Sequence, residues 1–345
     1  MTLEKAALRP LLAIAVPTFN RMDCLRETLS PLLESGLLSQ QIQLFVYDNA
    51  SDDGTSSWLD SLRARPGCNV VRQPLNLGIE GNIIDAMLRS TGQYVWTLSD
   101  HMKLRVDAIK TFIDRLPHLA ASGVDVIYAH ISSYGAVRGL DKPYMPFPWR
   151  HLTPTEQSRF LFRTGNTSAM ITSDRLRAAS ARSLFRFSGF SYPHLGVYAY
   201  IRSDSLVAET EPLSDFLNTP ATHTKTPAYN SFRSRFLGYP QAIRELRRLN
   251  NVVTPNSAGL TQAIGALRMD VVELLRSDTP VASYPLVGPL MTFPWRATPF
   301  IVSAMTMKAL PRKVRKRVSD LVFRSAIQHA YGRPARSQPD FRINE

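Results

Sequence analysis

Hydrophobic and polar positions fall into blocks of different period from the N-terminus to about Tyr128. Leu11-Leu-Ala-Ile-Ala-Val16 is an unbroken apolar run that Pro17 stops, which predicts a buried strand. Met22 to Glu34 places Leu25, Leu29, Leu32 and Leu33 at helical spacing, which predicts a helix with one apolar face. Ile42 to Tyr47 predicts a second strand, ending in Asp48-Asn-Ala-Ser-Asp-Asp-Gly54, a cluster of turn and capping residues. A helix through Trp58 and Leu62 follows, then a short strand from Asn69 to Arg72, a turn at Asn76-Leu-Gly78 and a helix from Ile79 to Arg89. Gly92 opens a further strand, Tyr94-Val-Trp-Thr-Leu98, which ends abruptly in Ser99, Asp100 and His101. A helical pattern resumes from about Val106, and Val124 to Tyr128 predicts one more strand.

Alternation of strand and helix predicts an α/β fold with a parallel sheet covered by helices on both faces. Polar residues follow the strands at Asn20, Asp48, Asn76 and Asp100. In such a sheet they share the carboxyl edge, where ligands bind. Ser99 and Asp100 also suit a helix N-cap. Their convergence with the other strand ends is what marks them as a site. The first strand is not followed by Gly-x-Gly-x-x-Gly, and the chain lacks a P-loop signature, which disfavours a dinucleotide fold and a P-loop enzyme.

The composition of 345 residues, 44% hydrophobic and 20% charged, supports a buried core. Two cysteines, Cys24 and Cys68, exclude a disulfide scaffold and a cysteine zinc site. The chain reaches Glu4 and Lys5 without a long apolar stretch, and its apolar runs fall short of a spanning helix. The expectation is a cytoplasmic protein without a secretory signal. The net charge of +13 is uneven: Arg296 to Glu345 holds 11 Lys or Arg against three acidic residues. A basic tail predicts an anionic partner. Nucleic acid is disfavoured, because the basic cluster lacks interleaved aromatics.

The stretches AIAVPTFNR, LFVYDNASDDGT, NLGIEGNI and GQYVWTLSD occur in order. Together they resemble the nucleotide-binding half of family 2 glycosyltransferases of the GT-A fold, over roughly Leu11 to Lys110. The resemblance fades through about residue 215. It implies a mostly parallel GT-A sheet and a nucleoside diphosphate sugar as donor. It implies that Pro17, Thr18, Asn20 and Arg21 lie along the nucleotide. Asp48 would accept a hydrogen bond from the base, since uracil, thymine and guanine each carry a ring N–H. Asn76, Gly78 and Asn82 would shape the sugar-nucleotide pocket. Asp52 and Asp53 are expected only to cap a helix.

The resemblance breaks at Ser99-Asp100-His101-Met102. The family usually carries Asp-x-Asp there, for the ribose and a divalent cation. If Asp100 matches the first acid, Met102 stands at a ligand position. If it matches the middle residue, Ser99 and His101 flank it. Manganese accepts imidazole more readily than magnesium does. Asp100, His101 and the later His223 are the candidate ligands for an optional manganese or magnesium ion.

Thr164 to Ile171 resembles the strand that closes the sugar pocket. Relatives carry an acidic pair near the position of Tyr192-Pro-His194, so His194 is the candidate general base, with Asp204 and Asp215 as fallbacks. Lys225 is a candidate for the pyrophosphate. Gly135 to Pro154, with Tyr144, Phe147 and Trp149, reads as a long loop of the kind that forms lids.

Residues 1–225 are expected to form the nucleotide-sugar domain, and 226–345 a helical, basic extension. There Ala242 to Asn250 and Leu260 to Arg276 show helical periodicity. Four prolines, from Pro280 to Pro294, break the uncharged stretch that follows. Apolar Ala297 to Leu310 beside Pro311-Arg-Lys-Val-Arg-Lys-Arg317 predicts a peripheral contact with an anionic membrane, here the inner face. The implied activity is sugar transfer, inverting by default, to a glycan or a lipid-linked acceptor. The rivals are a non-catalytic nucleotide-sugar-binding relic and a sugar-phosphate nucleotidyltransferase. The latter is disfavoured by the missing glycine-rich basic N-terminal loop.

Overall fold

A computed structural model describes residues 9–131, 147–148, 169–188, 193–198, 205–217 and 309–318, with isolated positions between 242 and 249 and at 306, 307 and 321. The described elements begin with β1 (Leu12–Thr18), α1 (Met22–Glu34), β2 (Ile42–Asp48), α2 (Thr55–Asp60) and β3 (Cys68–Arg72). Next come α3 (Gly78–Arg89), β4 (Tyr94–Thr97), β5 (Met102–Leu104), α4 (Val106–Ala121), β6 (Val126–Ile131) and β7 (Phe147–Pro148). The last are β8 (Ala169–Thr172), α5 (Ser173–Ser188), α6 (Leu195–Tyr198) and β9 (Leu206–Phe216).

All nine strands join one sheet in the order β3-β2-β1-β4-β8-β6-β9-β5, with β7 on β9. The run from β3 to β4 is parallel, as the alternation of strands and helices requires. β8 then enters antiparallel between β4 and β6, so the later half of the sheet is mixed. Both faces are covered, which is why β1 and β2 read as unbroken apolar runs. On one face Leu12, Ile14, Val16, Leu44 and Trp96 pack with Leu25 and Leu29 of α1 and Phe112 and Leu116 of α4. On the other, Ala13, Ala15, Tyr47 and Val95 pack with Ile83 and Met87 of α3 and Leu176 and Phe187 of α5. The small side chains of Ala13 and Ala15 leave room for α3, which lies on β1. Gly92 is needed for the same closeness. A Cβ there would stand 2.8 Å from the Ala13 nitrogen and 2.7 Å from the Tyr94 carbonyl oxygen.

Pro17 does not stop β1, which continues to Thr18 with Pro17 opposite Tyr47. The hydrogen bonds explain the correction. The Leu11 and Ala15 carbonyls accept from Tyr94 and Leu98 of the β4 segment, whereas Leu12 and Thr18 bond toward β2. Odd positions of β1 therefore face β4. The pairing of β1 with β4 ends at Ala15 and Thr97, so the N–H that Pro17 lacks faces a side where the ladder is already over. From there the chain turns into Ser99, Asp100 and His101.

Two further strands escape the hydrophobic pattern. β9 contains Glu209, Glu211, Pro212 and Asp215, and register shifts against β6 near His130 accommodate the proline. β5 is too short to show a period. It pairs with β9 and begins at Met102, which is 0% exposed.

Several expectations lie outside the described residues: most of the loop from Gly135 to Pro154, Thr164 to Ser168, Tyr192, Asp204, His223 and Lys225. The same holds for the domain boundary at 225/226, the stretch from Leu260 to Arg276 and most of Ala297 to Leu310. Phe147 and Pro148 of the expected lid are described, and they pair with β9. No helix among the described residues is long and apolar enough to cross a membrane.

Candidate active site

The carboxyl ends of β1 and β4 meet at Asp100, which is 6% exposed. Thr18 Oγ1 donates to its Oδ2 at 2.9 Å, and Arg21 NH1 donates to its Oδ1 at 3.2 Å. His101 closes the group: its Nδ1 lies 2.6 Å from Ser99 Oγ and 3.2 Å from both Asp100 Oδ1 and Arg21 NH1. The loop after β1 brings Arg21 here by turning through left-handed backbone at Asn20, φ 51°. Asparagine tolerates that conformation better than most residues.

The end of β2 supplies the neighbouring wall. Asp48 is 1% exposed and is held by its own loop. Its Oδ1 accepts from the Ser51 N–H at 3.0 Å, its Oδ2 accepts from Ser56 Oγ at 2.5 Å, and Arg72 Nε stands 3.9 Å away. The β1 and β2 loops are laced together. The Asn20 N–H donates to Ser51 Oγ at 2.9 Å, and the Asp52 N–H donates to Asn20 Oδ1 at 2.9 Å.

Asp53 accepts from the Met22 N–H, where α1 begins, and from the Thr55 N–H and hydroxyl, where α2 begins. Burial alone would raise the pKa of its carboxyl. The Thr55 and Met22 hydrogen bonds outweigh burial and hold it below the usual carboxylate range. Asp53 therefore caps more than its own helix, because it also ties the loop after β1.

Asn49, which the sequence reading passes over, anchors the third wall. Its Nδ2 donates to Asn76 Oδ1 at 2.8 Å and to the Gly78 carbonyl at 3.3 Å, and its Oδ1 accepts from the Leu77 N–H. Asn76 Oδ1 also accepts from the Gly78 N–H at 2.8 Å, while Gly78 adopts φ 70°. Asn82 stands beneath the site rather than in it. It is 2% exposed, and its Nδ2 donates to the Tyr47 carbonyl at 2.9 Å. It braces the strand ends and does not present its side chain to a pocket.

Thr18, Asn20, Arg21, Asp48, Asn76, Gly78, Ser99, Asp100 and His101 thus fall on one edge of the sheet, with Pro17 leading into it. Met102 is removed as a metal ligand, since it lies in the core with its N–H donating to Thr28 Oγ1 at 3.0 Å. His194 is 2% exposed and opens α6, its carbonyl accepting from the Val197 N–H at 3.1 Å. Asp215 lies opposite Lys103 in the β5–β9 ladder, and the His101 carbonyl accepts from the Leu217 N–H two residues on. Ser51, Ser56 and Asn49 are the site residues that sequence reasoning missed. Their only signal was the density of small polar residues after Asp48.

Residues 13–183 match the family described as Glycosyl transferase family 2. Over 109 residues, 30% of this chain, the sequence is 28% identical to the abequosyltransferase RfbV of Salmonella typhimurium (strain LT2). That match spans 33% of RfbV, about a third of its length. The fold is similar to that of TarS residues 1–349 from S. aureus. The TM-score is 0.52 at 13% identity, covering 93% of this chain and 89% of that one. The same TarS segment in complex with UDP-GlcNAc gives a TM-score of 0.51 at 12% identity over the same shares. At such identities the structural likeness speaks for the fold alone. The sequence match is what goes beyond the fold: residues 13–183, just under half of the chain, are similar to glycosyl transferase family 2, and the sheet that carries them is of the GT-A type.

Proposed function

We propose that this edge binds a nucleoside diphosphate sugar and that the domain transfers the sugar to a hydroxyl of a glycan or lipid-linked acceptor. The observation that carries this reading is the convergence of Thr18, Arg21, Ser99, Asp100 and His101 at the ends of β1 and β4. The acceptor hydroxyl attacks the anomeric carbon and gives its proton to a base. The bond from that carbon to the diphosphate oxygen breaks, and the diphosphate leaves with the electron pair. Inversion follows from a single displacement. Stabilising the leaving diphosphate requires positive charge at the edge. His194 is the first candidate base, with Asp204 and Asp215 as fallbacks.

A thermal-shift screen across UDP-, dTDP-, GDP- and CMP-sugars tests the donor, since a ligand that binds the folded state raises the melting temperature. Uridine donors come first, because TarS was solved with UDP-GlcNAc. Release of free sugar from the donor that binds distinguishes an enzyme from a binding relic. No shift with any donor would remove the reading.

The basic tail fits an anionic membrane surface. Residues 312–318 are helical, with Arg312, Lys313, Lys316 and Arg317 exposed beside exposed Leu310 and Val314. Each cation near such a surface contributes roughly 1 kcal/mol. Sedimentation with anionic vesicles but not with neutral ones is the expected result. Equal binding to both, or to neither, would count against it.

A further inference from the structure

The family resemblance implies a divalent cation, and the described residues at this edge do not fit one. Magnesium and manganese at a nucleotide site are held by one or two carboxylates together with the phosphates and waters, so a carboxylate oxygen must be open to the ion. Asp100 brings the only carboxylate of the Ser99–Met102 stretch to the edge, and both of its oxygens are already engaged, by Thr18, Arg21 and His101. The Nδ1 of His101 is turned inward onto Ser99, Asp100 and Arg21. Met102, the next position at which a ligand is expected, is buried in the core. Among the described residues no three His, Cys, Asp or Glu side chains stand together to hold an ion. An ion on Asp100 Oδ1 would also lie against a like charge, because the Arg21 guanidinium is 3.2 Å from that oxygen.

Resting on the donor reading above, we propose that Arg21 replaces the cation: its guanidinium meets the diphosphate, and the nucleotide binds without a divalent ion. A guanidinium carries five N–H donors in a planar fork that matches phosphate oxygens, and it stays charged at any working pH. Asp100 holds the fork at the strand edge before the donor arrives. The Arg21 side chain is still 20% exposed, so a ligand can reach the donors that Asp100 leaves. Its position follows from the fold. Asn20 turns the backbone and is fastened to the Ser51–Asp52 loop, which fixes where the next residue projects. Asp100 is therefore a positioning residue for Arg21.

The test is calorimetry of the full chain with UDP, dTDP and GDP, each in EDTA and again with manganese. The nucleotide that binds is expected to show the same Kd in both, within about threefold. Arg21→Gln should weaken it in EDTA by at least about tenfold, and Arg21→Lys, which keeps a charge but loses the fork, should fall between. Melting curves show that the variants are folded, and Arg21→Lys keeps a cation on Asp100 if the glutamine variant fails. Binding that requires manganese would overturn the proposal while leaving the donor reading intact. So would undiminished binding by folded Arg21→Gln. If none of the three nucleotides binds in either buffer, the donor reading falls, and this inference with it.

Discussion

Thr18 and Asp100 lie 82 positions apart in sequence, yet the threonine hydroxyl donates to the aspartate at 2.9 Å and joins the ends of two neighbouring parallel strands. Asp100 is almost fully enclosed, so its oxygens must be satisfied from within the protein. Thr18→Val keeps the shape and removes the donor. It should destabilise the fold by about 1–3 kcal/mol, measured by denaturant unfolding. Asp100→Ala should abolish transfer, because it leaves Arg21 and His101 without their common partner. Normal turnover by Asp100→Ala would remove this edge as the active site.

Asp48 works on its own loop as well as on any base. Asp48→Ala strips the acceptor from the Ser51 N–H and from Ser56, so it should lower stability and nucleotide affinity together. A direct charge-assisted bond to the base adds an affinity loss of about 1.5–3 kcal/mol. Ser56→Ala separates the two roles, since it removes a loop bond alone. Equal loss of affinity in both variants, read by calorimetry, would assign Asp48 to loop shape only.

Asp53 makes the stability of this edge depend on pH. Its folded pKa lies below the unfolded value, so its contribution is complete above the unfolded pKa, about 4. The contribution is lost as pH falls through the folded value. Asp53→Asn should therefore melt below the wild type at neutral pH, and the two melting temperatures should converge in acid. A gap that stays constant from pH 7 to about pH 3 would show that the carboxylate charge is not what ties the two helix starts.

His194 is buried, so His194→Gln, which keeps a polar side chain of similar size, is the variant that tests it with least disturbance. If it is the base, kcat should fall roughly 10²–10⁴-fold and the pH–rate profile should lose its acidic limb. Activity within a few-fold of wild type would move the role to Asp204 or Asp215, for which Asp204→Asn and Asp215→Asn are the matching variants.

The parallel half of the sheet was legible in the sequence because its signals are local. Strands buried on both faces read as apolar runs, and α1 and α4 announce themselves by helical spacing over 13 and 16 residues. The resemblance to a known family likewise rested on contiguous stretches at the strand ends, so the site edge was visible as a set of polar residues. What was not local was not legible. β9 hides its strand character behind Glu209, Glu211 and Pro212, and only its pairing with β5, β6 and β7 makes it a strand. Pro17 looked like a stop because its missing N–H costs nothing only where β4 has already turned away. Which way Met102 faces after the strand ends was equally hidden, since only β5 pairing sends it into the core. Asp100, finally, was a lone carboxylate in the sequence. Its ties to Thr18 and Arg21 exist because parallel pairing lays the first and fourth strands side by side, bringing together groups that no local pattern connects.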